Sequence, residues 1–409
     1  MAERQFDVVV LGASGFTGEL AAEYLGRSAD ASSWAFGGRN QRKLEQVRDR
    51  LLAAGAAATE LPLLRADVND AASLRTLAES TRVLVSTVGP YLDYGEPVVA
   101  ACAAAGTDYV DLTGEPEFVD RMWLRYHRLA QSTGARLVHS CGFDSIPYDL
   151  GALYTVQQLP QGAPIALSAY VRAGGAFSGG TYRSVINSMG RLRQAQKVSR
   201  ERRELEGRLQ SRRVRGVAGA PHYEPDAGGW VVPLPTIDPQ TVLRSARALE
   251  RYGPDFSYSH YLVSRRLLTL AGLGAGAGAL VALSQFGPTR EALLKLKDPG
   301  EGPSPEQRAR GWFKVRFVAR AEGRRITTEV SGGDPGYGET AKMLAESALC
   351  LARDELPQRA GQLTPAVAMG QPLIDRLRSA GIEFRVNQSG ATAGQVSAPG
   401  ASGRVRAAV

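Results

Sequence analysis

In the first 150 residues, apolar positions fall into short strand-like runs separated by segments with helical spacing. This is the rhythm of a parallel sheet covered by helices. The runs predict strands at residues 6–11, 34–38, 62–66, 83–87, 109–112 and 136–140, with helices opening near Gly15, Asn40, Asp70, Gly95 and Pro116. An α/β fold follows, a Rossmann-type doubly wound parallel sheet over residues 1–150.

After residue 150 the rhythm changes. A run at 165–173 predicts a strand, followed by a long basic helix over 178–213 and an irregular Pro/Gly-containing region at 216–239. Residues 312–320 and 325–331 alternate apolar and polar positions around Ala321-Glu322-Gly323, the pattern of an antiparallel hairpin. The mixture predicts a second, α+β substrate domain over 151–335. A helix at 340–355 and a helix–strand unit at 371–386 predict a segment, 336–386, that packs back on the first domain. Residues 387–409, rich in Gly, Ala and Ser, predict a disordered tail.

Residues 267–289 carry no charge, and Arg265, Arg266 and Arg290 flank them. The length reaches the roughly 20 residues of a bilayer-spanning helix. Gly272, Gly274, Gly276 and Gly278 crowd its middle. A span, a helix lying on a membrane or lining an acyl groove, and a buried core helix are all compatible with this pattern.

Composition narrows the picture. A chain of 409 residues exceeds one ordinary core, so two domains are expected. Cys102, Cys141 and Cys350 lie far apart, which argues against a disulfide framework and a Cys-rich metal site and fits a reducing cytoplasm. The polar start runs straight into a strand and leaves no room for a signal peptide. A cytoplasmic protein is expected, with peripheral membrane contact left open. The net charge of +8 is concentrated: from Arg191 to Arg215 there are ten Lys/Arg against three Glu. The remainder is nearly neutral, so nucleic acid is not an expected partner.

The chemistry is concentrated at strand ends. Gly12-Ala13-Ser14-Gly15-Phe16-Thr17-Gly18 follows an apolar strand and opens a helix. Such a loop turns tightly at Gly12, lets the backbone approach a pyrophosphate at Gly15, and packs helix on sheet at Gly18. At the end of the second strand an NAD site wants Asp or Glu for the ribose hydroxyls. This chain has Gly37-Gly38-Arg39, with Lys43 one helical turn on. A guanidinium can bind a 2′-phosphate that a carboxylate would repel, which favours NADP(H). An exposed arginine at a strand end is the plainer reading. Asp67 and Val68 fall where an adenine ring would rest, and Thr87, Val88 and Gly89 where the chain passes under ribose and nicotinamide. Two further runs follow strands at the same sheet edge: Asp108-Tyr109-Val110-Asp111-Leu112-Thr113-Gly114-Glu115 and His139-Ser140-Cys141-Gly142-Phe143-Asp144-Ser145-Ile146-Pro147. Helix capping by Thr113, Glu115, Asp144 or Ser145 explains them equally well, and Cys141 could be a small packed residue.

Taken together, Gly-Ala-Ser-Gly-Phe-Thr-Gly, Gly-Gly-Arg, Ser-Thr-Val-Gly-Pro-Tyr, Tyr-Val-Asp-Leu-Thr-Gly-Glu and Cys-Gly-Phe-Asp-Ser-Ile-Pro resemble the saccharopine dehydrogenase-like oxidoreductases. Within them the chain is most similar to the actinobacterial (mycobacterial) trans-acting enoyl reductases, partners of polyketide synthases in making phthiocerol-type lipids. The resemblance runs from about Phe6 to Val386 and includes residues 364–370. It implies hydride transfer from NADPH to the β-carbon of an α,β-unsaturated acyl thioester, carried on an acyl carrier protein or polyketide synthase. Tyr91 is the first candidate for a donor near the thioester carbonyl, with Cys141 and Asp144 lining the same edge. The basic helix would steer an acidic carrier or an anionic lipid surface. Two alternatives remain: a non-catalytic NADP(H)-binding sensor or scaffold, and an amino-acid oxidoreductase of the saccharopine dehydrogenase type. The basic residues an α-amino dicarboxylate would need are not evident. A homodimer is also left open.

Overall fold

The computed structural model describes residues 4–28, 33–55, 61–175, 186, 189–234, 236–294 and 303–391. Seven parallel strands form one sheet in the order Gly361–Leu363, Arg136–Val138, Asp108–Asp111, Thr81–Ser86, Phe6–Leu11, Trp34–Gly38, Leu63–Arg65. The six strands expected for this sheet all form, with ends moved by at most two residues. The seventh, Gly361–Leu363, arrives from far down the chain to pair with Arg136–Val138.

Alternate side chains of each strand enter different cores. Val8 and Val10 face a cluster shared with helices Phe16–Arg27 and Gly338–Arg353, while Val9 and Leu11 face helices Ala71–Ser80, Glu96–Ala105 and Pro116–Thr133. Burial on both faces explains why the opening run is apolar at every position but the half-buried Asp7. Strand order reverses between Phe6–Leu11 and Thr81–Ser86. That leaves a crevice at their carboxyl ends, where open α/β sheets bind ligands.

The second sheet is mixed. Its order is Glu383–Ala391, Arg324–Gly332, Trp312–Ala321, Ile165–Gly174, Asp255–Ser264, Gly229–Pro233, His222–Glu224, and Arg213–Gly216 also pairs with Asp255–Ser264. Helix Ile146–Val156 joins the two sheets and is buried along its whole length. Gly151 permits this: a methyl group there would lie 2.4 Å from the Phe317 ring and 2.9 Å from Val330. The first core therefore continues without a break into the second sheet.

Four expectations need correction. The described part of the basic helix is Leu192–Glu206, and Arg213 begins a strand; residues 176–185 and 187–188 lie outside the described residues. The irregular region 216–239 contains two strands, because Gly229–Pro233 finds a partner in Asp255–Ser264. The 371–386 unit divides: helix Gly370–Ser379 packs on helices Gly338–Arg353 and Ile146–Val156, but strand Glu383–Ala391 extends the second sheet. That strand includes 387–391, so the expected tail is shorter, and residues 392–409 lie outside the described residues.

Candidate active site

The glycine loop has the shape its sequence requires. Gly12 has φ of +91°, and a methyl group there would meet Thr87 Oγ1 at 2.7 Å. At Gly18 it would lie 2.3 Å from the Gly12 carbonyl oxygen, so only glycine lets the helix sit this close to the loop. Thr87 donates its hydroxyl to the carbonyls of Leu11 (3.2 Å) and Gly12 (3.1 Å), clamping the turn. Gly15 is the N-cap and contributes no side chain, which leaves the first helical turn uncapped by protein. Ala13 is buried and Ser14 is exposed. Thr17 is half-buried in the first turn. The half-buried Phe16 packs edge-on against Tyr337 at 4.9 Å, and Arg308 stands 5.8 Å from its ring. Arg308 and Tyr337 reach the loop from far downstream in sequence, and no local motif marks them.

A buried carboxylate organises the next two loops. Asp111 Oδ1 accepts from the amides of Thr113 (3.0 Å) and Ser140 (2.9 Å). Its Oδ2 accepts from the Tyr109 hydroxyl at 3.0 Å and lies 2.7 Å from His139 Nδ1. These bonds hold Ser140 at a φ of +61°, and Ser140 Oγ in turn donates to the Thr113 carbonyl at 2.6 Å. The His139–Asp111 pair was not foreseen, although both residues lie in runs the sequence singles out.

Two of the three candidate catalytic groups are committed elsewhere. The Tyr91 hydroxyl donates to the Ser86 carbonyl at 2.9 Å and accepts from the Leu112 amide at 3.2 Å, tying two strand ends together. Burial, and after it the Asp111 charge, pushes its pKa well up. Cys141 is fully buried in the core, with its thiol directed at the Val138 carbonyl (3.5 Å) and its pKa raised by burial and then by Asp111. In this structure both groups are engaged within the protein instead of standing free at the crevice. In both cases the aromatic or thiol group gains more from packing than from facing the crevice.

Asp144 is different. A methyl group on Gly114 would lie 2.9 Å from its Oδ2, which places it at the carboxyl edge of the sheet. The side chain is solvent-accessible, yet protein packs closely enough around it to lift its carboxyl to about 6. Behind it sits a polar cluster. Asp238 is buried and raised well above the carboxylate range by burial and then by Asp144. His260, held down to about 3 by burial, lies 3.7 Å from Asp238 and 3.0 Å from the Tyr258 hydroxyl. Tyr148 stacks edge-on against His260 at 5.0 Å. Asp238 Oδ1 and His260 Nε2 have no hydrogen-bond partner among the described residues. Among the described residues four carboxyls are raised: Asp108, Asp144, Asp149 and Asp238. Asp144 alone among these is exposed.

Comparison with known proteins places this geometry. Residues 8–138 match the saccharopine dehydrogenase NADP binding domain. A Mycobacterium tuberculosis H37Rv protein provisionally named a trans-acting enoyl reductase is 37% identical, over 94% of this chain and 98% of its own. A trans-acting enoyl reductase of Mycobacterium bovis BCG is 34% identical, over 93% of this chain and 97% of its own. The chain belongs to the trans-acting enoyl reductase family. Saccharopine dehydrogenase (L-Glu forming) of Saccharomyces cerevisiae shares the fold, with a TM-score of 0.54 at 12% identity, over 94% of this chain and 100% of that one.

This member of the trans-acting enoyl reductase family is thus an oxidoreductase with an NADP-binding domain, and its residues fit that cofactor. The uncapped helix start and the glycines that a Cβ would obstruct form a cradle for phosphates. Arg39 and Lys43 are both exposed, and neither makes an ion pair among the described residues. Arg65, in register with Gly38, brings a third cation to the same corner. Asp67 accepts from the Asn69 amide at 3.0 Å, so it shapes the turn, and half-buried Val68 packs beneath it. Half-buried Val88 and exposed Gly89 follow Thr87 along the crevice.

The basic stretch is less free in this trans-acting enoyl reductase family member than its charge count suggests. Arg191 pairs with buried Glu117, Arg202 with Asp120 and Glu206, Arg200 with Glu204, and Arg215 with Asp255. Arg212 donates to two backbone carbonyls. Of these, Arg191 and Arg202 fasten the basic stretch to Pro116–Thr133, while Arg200, Arg212 and Arg215 bond within the helix or near the second sheet.

Proposed function

We propose that this protein reduces the α,β double bond of an acyl thioester presented by a separate carrier or polyketide synthase, in assembly of a phthiocerol-type lipid. The observation carrying this reading is Asp144, an exposed carboxyl with a raised pKa at the edge where the NADP-binding loop opens. The names and near full-length similarity of the relatives support the reaction class.

When bound, NADPH supplies a hydride to the β-carbon. Asp144, in its protonated form, gives the α-carbon its proton, so the two additions saturate the bond and leave the thioester intact. Arg39 and Lys43 hold the 2′-phosphate, and the first-turn amides after Gly15 hold the pyrophosphate. The protein packed around Asp144 keeps its carboxyl protonated toward neutral pH.

The test is NADPH oxidation by the purified chain with trans-2-enoyl thioesters of increasing length, on coenzyme A and on a carrier protein. Turnover that improves with chain length and with the carrier is expected. Tight NADPH binding without turnover across enoyl, carbonyl and imine substrates would instead indicate a sensor.

A further inference from the structure

Helix Leu267–Ser284 has a form that a soluble surface does not explain. It is apolar on every side, yet Leu268 is 86% exposed, Leu283 43%, and Phe286 just beyond it 67%. A methyl group added at Gly272, Gly274, Gly276 or Gly278 would meet nothing within 4 Å. A helix apolar all round belongs in a protein core or in hydrocarbon, and this one is not in the core.

Both ends of the helix are fastened to the protein. It leaves the second sheet just after Ser264, and at its far end Gln285 donates to the Met189 carbonyl at 2.7 Å. Gly190 abuts Ser284 and Arg290, and the adjoining Arg191 pairs with Glu117, in the first turn after the Thr113-Gly114-Glu115 loop. The helix rises about 27 Å at 1.5 Å per residue. It is long and apolar enough to cross a bilayer, but both its ends are tethered to the protein, the far one through Gly190 and Arg191 to the helix that follows the Thr113-Gly114-Glu115 loop.

The surroundings have the composition of a membrane interface. The sheet end from which the helix leaves carries Trp230, in register with Ser264, and Trp312, in register with Gly174 and 46% exposed. Tyr223, 55% exposed, packs on Trp230. Exposed Arg265 and Arg266 adjoin this end, and Arg191 and Arg290 the other. Aromatic rings with cations around an apolar element match the headgroup boundary of an anionic bilayer.

We propose that helix Leu267–Ser284 inserts lengthwise into one leaflet of an anionic phospholipid bilayer, setting the crevice mouth at the membrane surface. A protein partner would cover one side of the helix and leave others in water; hydrocarbon covers every side that the protein leaves open, Leu270 and Ser284 being already buried. The arrangement would let a long acyl chain remain in the bilayer while its polar end enters the crevice. The docking itself does not depend on the enoyl reductase reading.

The test is flotation of the full chain with vesicles of phosphatidylcholine and phosphatidylglycerol, against phosphatidylcholine alone. The wild type should float with the anionic vesicles, partly so in high salt. Leu268→Glu/Leu283→Glu should lower partitioning at least about tenfold, the scale of one leucine side chain returned to water, with NADPH binding unchanged. In the unmutated chain, brominated lipid should quench Trp230 and Trp312 fluorescence while leaving buried Trp34 untouched. A wild type that neither floats nor is quenched overturns the proposal, as does a double variant that floats equally well. A dimer that the double variant dissociates, without flotation of the wild type, would assign the helix to a second copy and also overturn it.

Discussion

The Tyr91 hydroxyl donates to the Ser86 carbonyl at 2.9 Å while accepting from the Leu112 amide, so one side chain fastens the ends of two adjacent strands. Removing it leaves buried backbone groups unpaired. Tyr91→Phe should cost about 1–3 kcal/mol of stability in chemical denaturation and change kcat less than twofold. A large kcat loss with unchanged stability would return Tyr91 to the reaction.

Arg39 stands exposed at the end of Trp34–Gly38, where a carboxylate would select NAD(H). Arg39→Ala removes a charge-assisted pairing of about 1.5–3 kcal/mol. Fluorescence titration should show NADPH affinity falling roughly tenfold to a hundredfold, with NADH affinity unchanged. Equal loss for both cofactors would contradict the assignment.

In the proposed reaction Asp144 is the acid, and burial lifts its carboxyl to about 6. The competent form is protonated, so kcat should fall as pH rises through about 6. Asp144→Asn should lose about 10²–10⁴ in kcat and abolish that limb, while NADPH binding persists. A variant that keeps the limb would place the titration on another group.

Asp149 bears on stability. It is fully buried, accepts from the Ala366 amide at 2.8 Å, and has its carboxyl raised by burial to about 7. A carboxyl raised on folding favours the folded state below its unfolded value near 4, and that contribution is lost as pH rises through about 7. Thermal stability should therefore fall between pH 4 and 7, and Asp149→Asn, which preserves an acceptor for Ala366, should flatten the decline. A parallel slope in the variant would assign the loss to other groups.

The first sheet was legible because its central strands are buried on both faces, which leaves unbroken apolar runs at 8–11, 34–36 and 83–85. The three glycines of the loop were legible because phosphate binding needs them close in sequence; Thr87 was read as passing under ribose and nicotinamide, and its clamp on the Gly12 turn was not foreseen. Gly361–Leu363 was not: a three-residue edge strand has too short a pattern to read, and its partner lies more than 200 residues away. Glu383–Ala391 was placed on the wrong sheet because register between distant strands leaves no local trace. The Asp144, Asp238, His260 and Tyr148 cluster draws on three separated segments, and only folding brings their charges together. Tyr91 and Cys141 follow strands of the first sheet, but their hydroxyl and thiol turn into the protein. Their orientation depends on burial against Phe118 and the core, which residue type alone does not reveal.

The most direct measurement uses NADPH deuterated at nicotinamide C4 with a carrier-bound trans-2-enoyl thioester in ordinary water, followed by mass spectrometry and NMR of the product. A saturated thioester carrying one deuterium at the β-carbon, with the α-carbon proton drawn from solvent, is the predicted result. Deuterium at a carbinol or amine carbon from a carbonyl or imine substrate, with the enoyl thioester returned unreduced, would contradict it.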